Sequence, residues 1–160
     1  MNLFGLMQTS GSAMQAERMR AEVVAANMAN AETTRTESGE PYRRKMVVFE
    51  ADRPGASFAE SLLGAAGAGA PDTDFAGRSG GSITPGVHIA QVVEDSSPPL
   101  KRYDPGHPDA GSDGYVSYPN INPLTEMVDL MGATRAYGLN GSAVQAEKGM
   151  IASALEITKS

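Results

Sequence analysis

Along the first thirty positions, Met7, Met14, Ala21 and Met28 recur every seven residues, and Leu3, Ser10, Glu17 and Val24 fill the second row between them. Such a repeat predicts one amphipathic helix with an apolar first row and a mixed second row, a weaker seam than repeated leucine or isoleucine. Gly5 and Gly11 lower the helicity of its first turns. A helix of about 28 residues is roughly 40 Å long. The end of the chain carries a second repeat. Ala136, Ala143, Met150 and Ile157 fall seven apart, with Leu139, Ala146 and Ser153 as the companion row. Asn122 is suited to cap this helix and Pro123 to open it. Tyr137, Val144, Ile151 and Leu155 widen its apolar surface beyond one stripe. Gly132, Gly138, Gly141 and Gly149 each cost about 1 kcal/mol relative to alanine inside a helix. A helix so weakened is marginal alone and calls for packing partners.

Between the two repeats the period changes from helix to strand. "PYRRKMVVFEA", Pro41 to Ala51, follows the turn pair Ser38-Gly39 and is rich in β-formers. "GVHIAQVVED", Gly86 to Asp95, alternates Val87, Ile89, Gln91 and Val93 with His88, Ala90, Val92 and Glu94. "GYVSYP", Gly114 to Pro119, follows the strong turn pair Asp113-Gly114. Three short strands make a small β module rather than a large independent domain. Arg53 to Pro85 is dominated by Gly, Ala, Ser and Pro around one apolar knot, Phe58 to Leu63, and reads as a flexible loop, with ordering against a neighbour as the alternative. The pattern therefore predicts a mainly α chain with a small β module: residues 1–30 and 121–158 helical, 31–52 and 86–120 β-rich, 53–85 a Gly/Ala/Pro-rich insertion.

Composition narrows the function. A chain of 160 residues suits one ordinary domain, and with 6% aromatic residues and no tryptophan its core is thinly supplied. A formal charge of −6 argues against a nucleic-acid partner whose affinity rests on neutralising phosphates. Arg43, Arg44 and Lys45 read as a solvated strand face. The absence of cysteine excludes disulfide frameworks and thiol catalysis, and it suits a chain that works outside the reducing cytosol. The N-terminus lacks the basic region, apolar core and cleavage site of a secretory signal, and no run reaches the roughly 18 apolar residues of a membrane helix. Membrane insertion is not expected.

Candidate chemistry is sparse. His107 stands beside Asp104, Asp109 and Asp113 in "YDPGHPDAGSDGY", while His88 falls in a strand pattern. The segment lacks the spacing of a calcium loop, and Asp and Gly serve turns without any metal. There is no phosphate-cradling glycine loop, nucleophile elbow or HExxH. No catalytic, cofactor-binding or metal-binding residue is expected, and no cofactor. A metal-dependent secreted enzyme built on His107, Asp104 and Asp109 stays as the rival reading, and a free-standing coiled-coil binding module as another.

Four segments in order resemble the flagellar basal-body rod proteins: "MANAETT" at the first helix end, "GEPYRRKMVVFE", the "PGHPDA" turn within Asp104 to Val116, and "PNINPLTEMVDLMGATRAY". The likeness covers residues 1–51 and 86–158, and the middle of the chain departs from it. It implies a non-enzymatic structural subunit of the bacterial flagellum, placed in the proximal rod by the short length and the "PGHPDA" turn, with another flagellar axial protein as the alternative. The implied fold pairs the terminal helices as an antiparallel coiled coil, with the β-rich part outside. The implied partners are further copies of the chain, other rod proteins (FlgB, FlgF, FlgG and FliE) and the flagellar type III export apparatus. Export would occur without a cleaved signal, to a rod that crosses the periplasm, transmits torque and supports motility.

On that reading the assembly interface is expected at Met7, Met14, Ala21, Val24, Asn27, Met28 and Asn30 of the first helix. On the second it falls at Met127, Met131, Arg135, Ala136, Tyr137, Ala143, Met150 and Ile157. Asn27 and Asn30 share one face near the end of the first helix. Asn30 is expected to stop that helix in the left-handed conformation. Asn27 is expected to bond the packed second helix or a neighbouring subunit. Glu126, Asp129 and Arg135 read as exposed charges by default, with Arg135 paired to an acid of an adjacent subunit as the alternative.

Overall fold

The computed structural model describes residues 3–51 and 86–157; the expected 53–85 insertion lies outside them, as does the side chain of Leu3. Both predicted helices are present, α1 over Leu3–Ala29 and α2 over Pro123–Ile157. They run antiparallel along each other. Asn27 near the end of α1 bonds Glu126 near the start of α2, and Arg20 meets Asp129. Farther along, a Cβ placed on Gly141 would sit 3.8 Å from the Met14 methyl, so the backbone of α2 comes close to α1 there.

The start of α2 follows its sequence. Asn122 Oδ1 accepts from the Leu124 amide at 3.0 Å, and the Asn122 carbonyl accepts from the Glu126 amide at 3.1 Å. Pro123 occupies the first helical position, where its missing N–H costs nothing.

The seam between the helices differs from the apolar repeats on one side. On α1, Ala16 and Val24 are buried and Met7, Met14, Ala21 and Met28 are half-buried, as that repeat predicts. On α2, the residues buried against the rest of the chain are Glu126, Ala133 and Glu147, with Asn140 half-buried between them. This row also has a seven-residue spacing, but it is made of Glu, Ala, Asn and Glu. The apolar repeat of α2 lies elsewhere: Leu139, Ala143, Ala146, Met150, Ser153 and Ile157 are exposed, and only Ala136 is partly covered. Hydrophobic spacing therefore identifies a flank of α2 beside the seam, three positions along from the buried row, because that innermost row is small and polar.

Among the described residues four strands form two separate antiparallel ribbons. β1 (Lys45–Ala51) pairs β2 (Val87–Glu94), from Lys45 opposite Glu94 to Ala51 opposite Val87, with an irregularity between Val48 and Phe49. β3 (Leu100–Tyr103) pairs β4 (Tyr115–Tyr118). β3 was not among the expected strands, and Pro41–Arg44 precede β1 as irregular chain held by the Tyr42 amide on the Thr33 carbonyl. Both turn pairs behave as predicted: Gly39 and Gly114 have φ of 82° and 75°. Among the described residues the buried apolar side chains are Ala16, Val24, Val116, Ile121 and Ala133, few and mostly small.

Candidate assembly interface

Asn27 is wholly buried and makes four hydrogen bonds. Its Nδ2 donates to the Lys45 carbonyl at 2.8 Å and to Glu126 Oε2 at 3.0 Å. Its Oδ1 accepts from the Lys45 amide at 2.9 Å and from the Tyr42 hydroxyl at 3.2 Å. Both donors and both lone pairs of the amide are thus used. The Lys45 pair imitates a strand ladder, so Asn27 fastens the entry to β1 onto α1 while also holding α2.

Charges extend this junction. Glu126 is almost completely buried, and its Oε1 receives Arg44 Nε at 2.5 Å. Arg44 Nη2 lies 3.5 Å from Asp129 Oδ2, and Arg20 Nη2 lies 3.2 Å from Asp129 Oδ1. Two arginines therefore neutralise two carboxylates at the start of α2. Tyr42 has its hydroxyl pKa raised above its usual value near 10, first by burial and then by the negative charges of Glu94 and Glu126. Burial of charge is tolerated here because each charged atom has a partner.

Asn30 acts differently from expectation. Among the described residues no non-glycine has positive φ, so Asn30 is not left-handed. Its Nδ2 donates to the Ala26 carbonyl at 2.9 Å and its Oδ1 accepts from the Thr33 hydroxyl at 3.2 Å. The Ala26 carbonyl already accepts the Asn30 amide at 3.1 Å, so the side chain adds a second bond to it. The chain leaves the helix through right-handed turns, in which the Ala31 amide donates to the Met28 carbonyl and the Thr33 amide to the Asn30 carbonyl. Arg44 is a second correction: it reaches into the polar junction instead of lying on a solvated strand face. Glu126 and Asp129 are a third correction: expected as exposed charges, they are buried and half-buried and paired with Arg44 and Arg20. The usable signal is the row Glu126, Ala133, Asn140 and Glu147, small or polar and seven apart.

The remaining expected interface residues divide by exposure. Val24 and Asn27 are buried, while Met7, Met14, Ala21, Met28, Asn30 and Ala136 are half-buried against the chain itself. Met127, Met131, Arg135, Tyr137, Ala143, Met150 and Ile157 are exposed. Met127, Met131 and Arg135, with Leu124, Val128 and Leu139, line the side of α2 away from α1, whereas Tyr137, Ala143, Met150 and Ile157 flank the seam. Contiguous apolar surface of this kind marks an interaction site. The outward side of α1 is mostly polar instead: Gln8, Gln15, Arg18 and Glu22 are exposed, and Arg18 pairs Glu22 at 3.0 Å. Among the described residues nothing lies within 4 Å of a Cβ placed on Gly132, Gly138 or Gly149, so packing inside the chain does not require these glycines.

The His107 region is organised as a turn. His107 Nδ1 accepts from the Asp109 amide at 3.1 Å, and Asp109 receives the Thr34 hydroxyl at 2.8 Å. Asp113 Oδ1 accepts from the Tyr115 amide at 3.2 Å. These bonds tie the turn to itself and to the segment after α1.

A long helix pair locked by polar groups at one end, with an uncovered apolar stripe on one helix, is a scaffold for association. Sequence relationships agree. Residues 7–35 match the family described as flagella basal body rod protein, and residues 112–157 match the C-terminal family of flagellar basal body rod FlgEFG proteins. The flagellar basal-body rod protein FlgC of Bacillus subtilis is 43% identical, covering 99% of this chain and 100% of that protein. FlgC of Borreliella burgdorferi is 37% identical and FlgC of Salmonella typhimurium 34%, each covering 98% of both chains. The chain belongs to the FlgC family of flagellar basal-body rod proteins. It is a structural component of the flagellar basal body and not an enzyme.

Proposed function

We propose that this subunit sits in the proximal rod and assembles helically, with the outward side of α2 as its main docking surface. The observation that carries this reading is the exposed apolar stripe Leu124, Met127, Val128 and Met131 next to Arg135, on a helix whose opposite side is already occupied by α1. Its occupants are further copies and other rod proteins, with FlgB, FlgF, FlgG and FliE as the candidates. Heterologous contacts repeated along an axis build an open shaft able to transmit torque. The α1–α2 pair forms the coiled-coil inner layer, residues 31–52 and 86–120 lie outside it, and residues 53–85 are an insertion between the two. The half-buried α1 residues Met7, Met14, Ala21 and Met28 support that layer from within. The subunit reaches the periplasm through the flagellar type III apparatus without a cleaved signal.

The test is Met131→Asp, which places a charge in the stripe without touching the helix seam. The purified variant is expected to keep the helicity and melting temperature of the parent, while cells carrying it fail to swim and lack rods. Normal swimming would overturn the assignment of this surface.

A further inference from the structure

Beside the polar junction lies a cleft of about 300 Å³ between the Glu40–Arg44 segment and the links around Pro99 and Pro119. Pro41, Tyr42, Pro99 and Pro119 give it apolar walls. Four charged side chains also line it, Glu40, Arg43, Arg44 and Asp95. Arg43 pairs with Glu40 at 3.1 Å, and Arg44 with Glu126 and Asp129. Of the four, Asp95 alone has no ion pair among the described residues. The Ser97 hydroxyl and amide both donate to its Oδ1, at 2.7 and 2.8 Å, while its Oδ2 accepts no hydrogen bond among the described residues. Those two bonds hold the carboxyl below its ordinary pKa, with the charge of Arg44 adding to them, so Asp95 is ionised at neutral pH.

The stripe on α2 carries the complementary group. Arg135 is exposed, follows Met131 by one turn, and forms no ion pair among the described residues. It stands roughly 14 Å along the helix from Glu126, at 1.5 Å per residue, and on the side away from α1. Nothing among the described residues lies within 4 Å of a Cβ placed on Gly138, so a second surface can approach the α2 backbone next to Arg135. A guanidinium suits the cleft: it is planar, weakly hydrated, stacks on aromatic faces and forks onto a carboxylate.

We propose that, in the assembled rod, Arg135 of one copy enters this cleft on the next copy, with its stem against Tyr42 and the prolines and its guanidinium on Asp95. The contact rests on the docking role given to the α2 stripe and names the surface that the stripe meets. Stripe and cleft are different patches, so the contact is heterologous and repeats from copy to copy. The cleft wall also belongs to the junction, because Tyr42 holds Asn27 and Arg44 holds Glu126. A neighbour seated there braces the start of the helix pair, so docking and helix order support each other.

Charge exchange in cells that carry only the variant gene tests the pair. Asp95→Arg and Arg135→Asp are each expected to abolish swimming, because repulsion replaces attraction at the contact. The double variant Asp95→Arg/Arg135→Asp should restore it. A second readout needs neither swimming nor charge. The chain has no cysteine, so Asp95→Cys/Arg135→Cys treated in cells with a short bismaleimide should give covalent oligomers of the chain, whereas Asp95→Cys/Glu22→Cys should not. Normal swimming of either single reversal, a double reversal that stays still, or absence of the Asp95→Cys/Arg135→Cys crosslink would each overturn the proposal. Swimming by Asp95→Arg beside still Met131→Asp cells would remove the cleft and keep the stripe, while swimming by Met131→Asp would remove the stripe itself.

Discussion

Asn27 joins three parts of the chain through one small amide: α1, the entry to β1, and α2. Removing it leaves the Lys45 peptide groups and a buried Glu126 oxygen short of partners. A buried polar group without a partner costs about 1–3 kcal/mol. Asn27→Ala is therefore expected to lower unfolding stability by roughly 2–4 kcal/mol, read by urea denaturation. Asn30→Ala, at a partly exposed helix end, should cost much less. Equal losses for the two would contradict the central place given to Asn27. Tyr42 adds a pH dependence to the same junction. Its raised pKa means that the folded chain keeps the proton after the unfolded chain has lost it. The stability it contributes is intact below the ordinary value near 10 and declines as pH rises from there through the folded pKa. Tyr42→Phe should flatten that alkaline decline in unfolding experiments run across the range, and an unchanged slope would exclude Tyr42 as its source.

Elements whose identity depends on local chemistry could be read from the sequence. The Asn122-Pro123 start of α2, the glycine turns at Gly39 and Gly114, and both helices follow from capping, backbone freedom and periodicity. What escaped depends on which side of an element meets which neighbour. The apolar repeat of α2 suggested a seam at Ala143 and Met150, but α1 packs against Glu126, Ala133 and Glu147. Hydrophobic periodicity cannot rank two candidate faces when the inner one is polar and its polar groups are paired. β3 escaped for a related reason: all four residues of "LKRY" are exposed, so no alternation marks it. Arg44 looked solvated because its partners, Glu126 and Asp129, are more than eighty positions away.

Across the whole molecule the helix pair is uneven along its length. The end where α1 finishes and α2 begins is tied by Asn27, by Arg44 on Glu126, and by Arg20 on Asp129. The opposite end is built differently. There the antiparallel register sets Glu147 against the first turns of α1, and its buried Oε2 has no hydrogen-bond partner. A carboxylate oxygen held this way opposes closure of the pair, since it loses water and gains no compensating bond. The far end should therefore open more readily than the junction, with local exchange that does not require global unfolding. Glu147→Leu removes the opposing group and keeps the volume similar. Its expected effect is a gain of about 1 kcal/mol in stability, with slower amide exchange confined to the first half of α1 and the last half of α2. Glu147→Gln, neutral but still polar, should fall between the parent and the leucine variant. Lower stability in Glu147→Leu, or slowed exchange at the Asn27 junction instead, would mean that Glu147 supports the helix pair rather than loosening it.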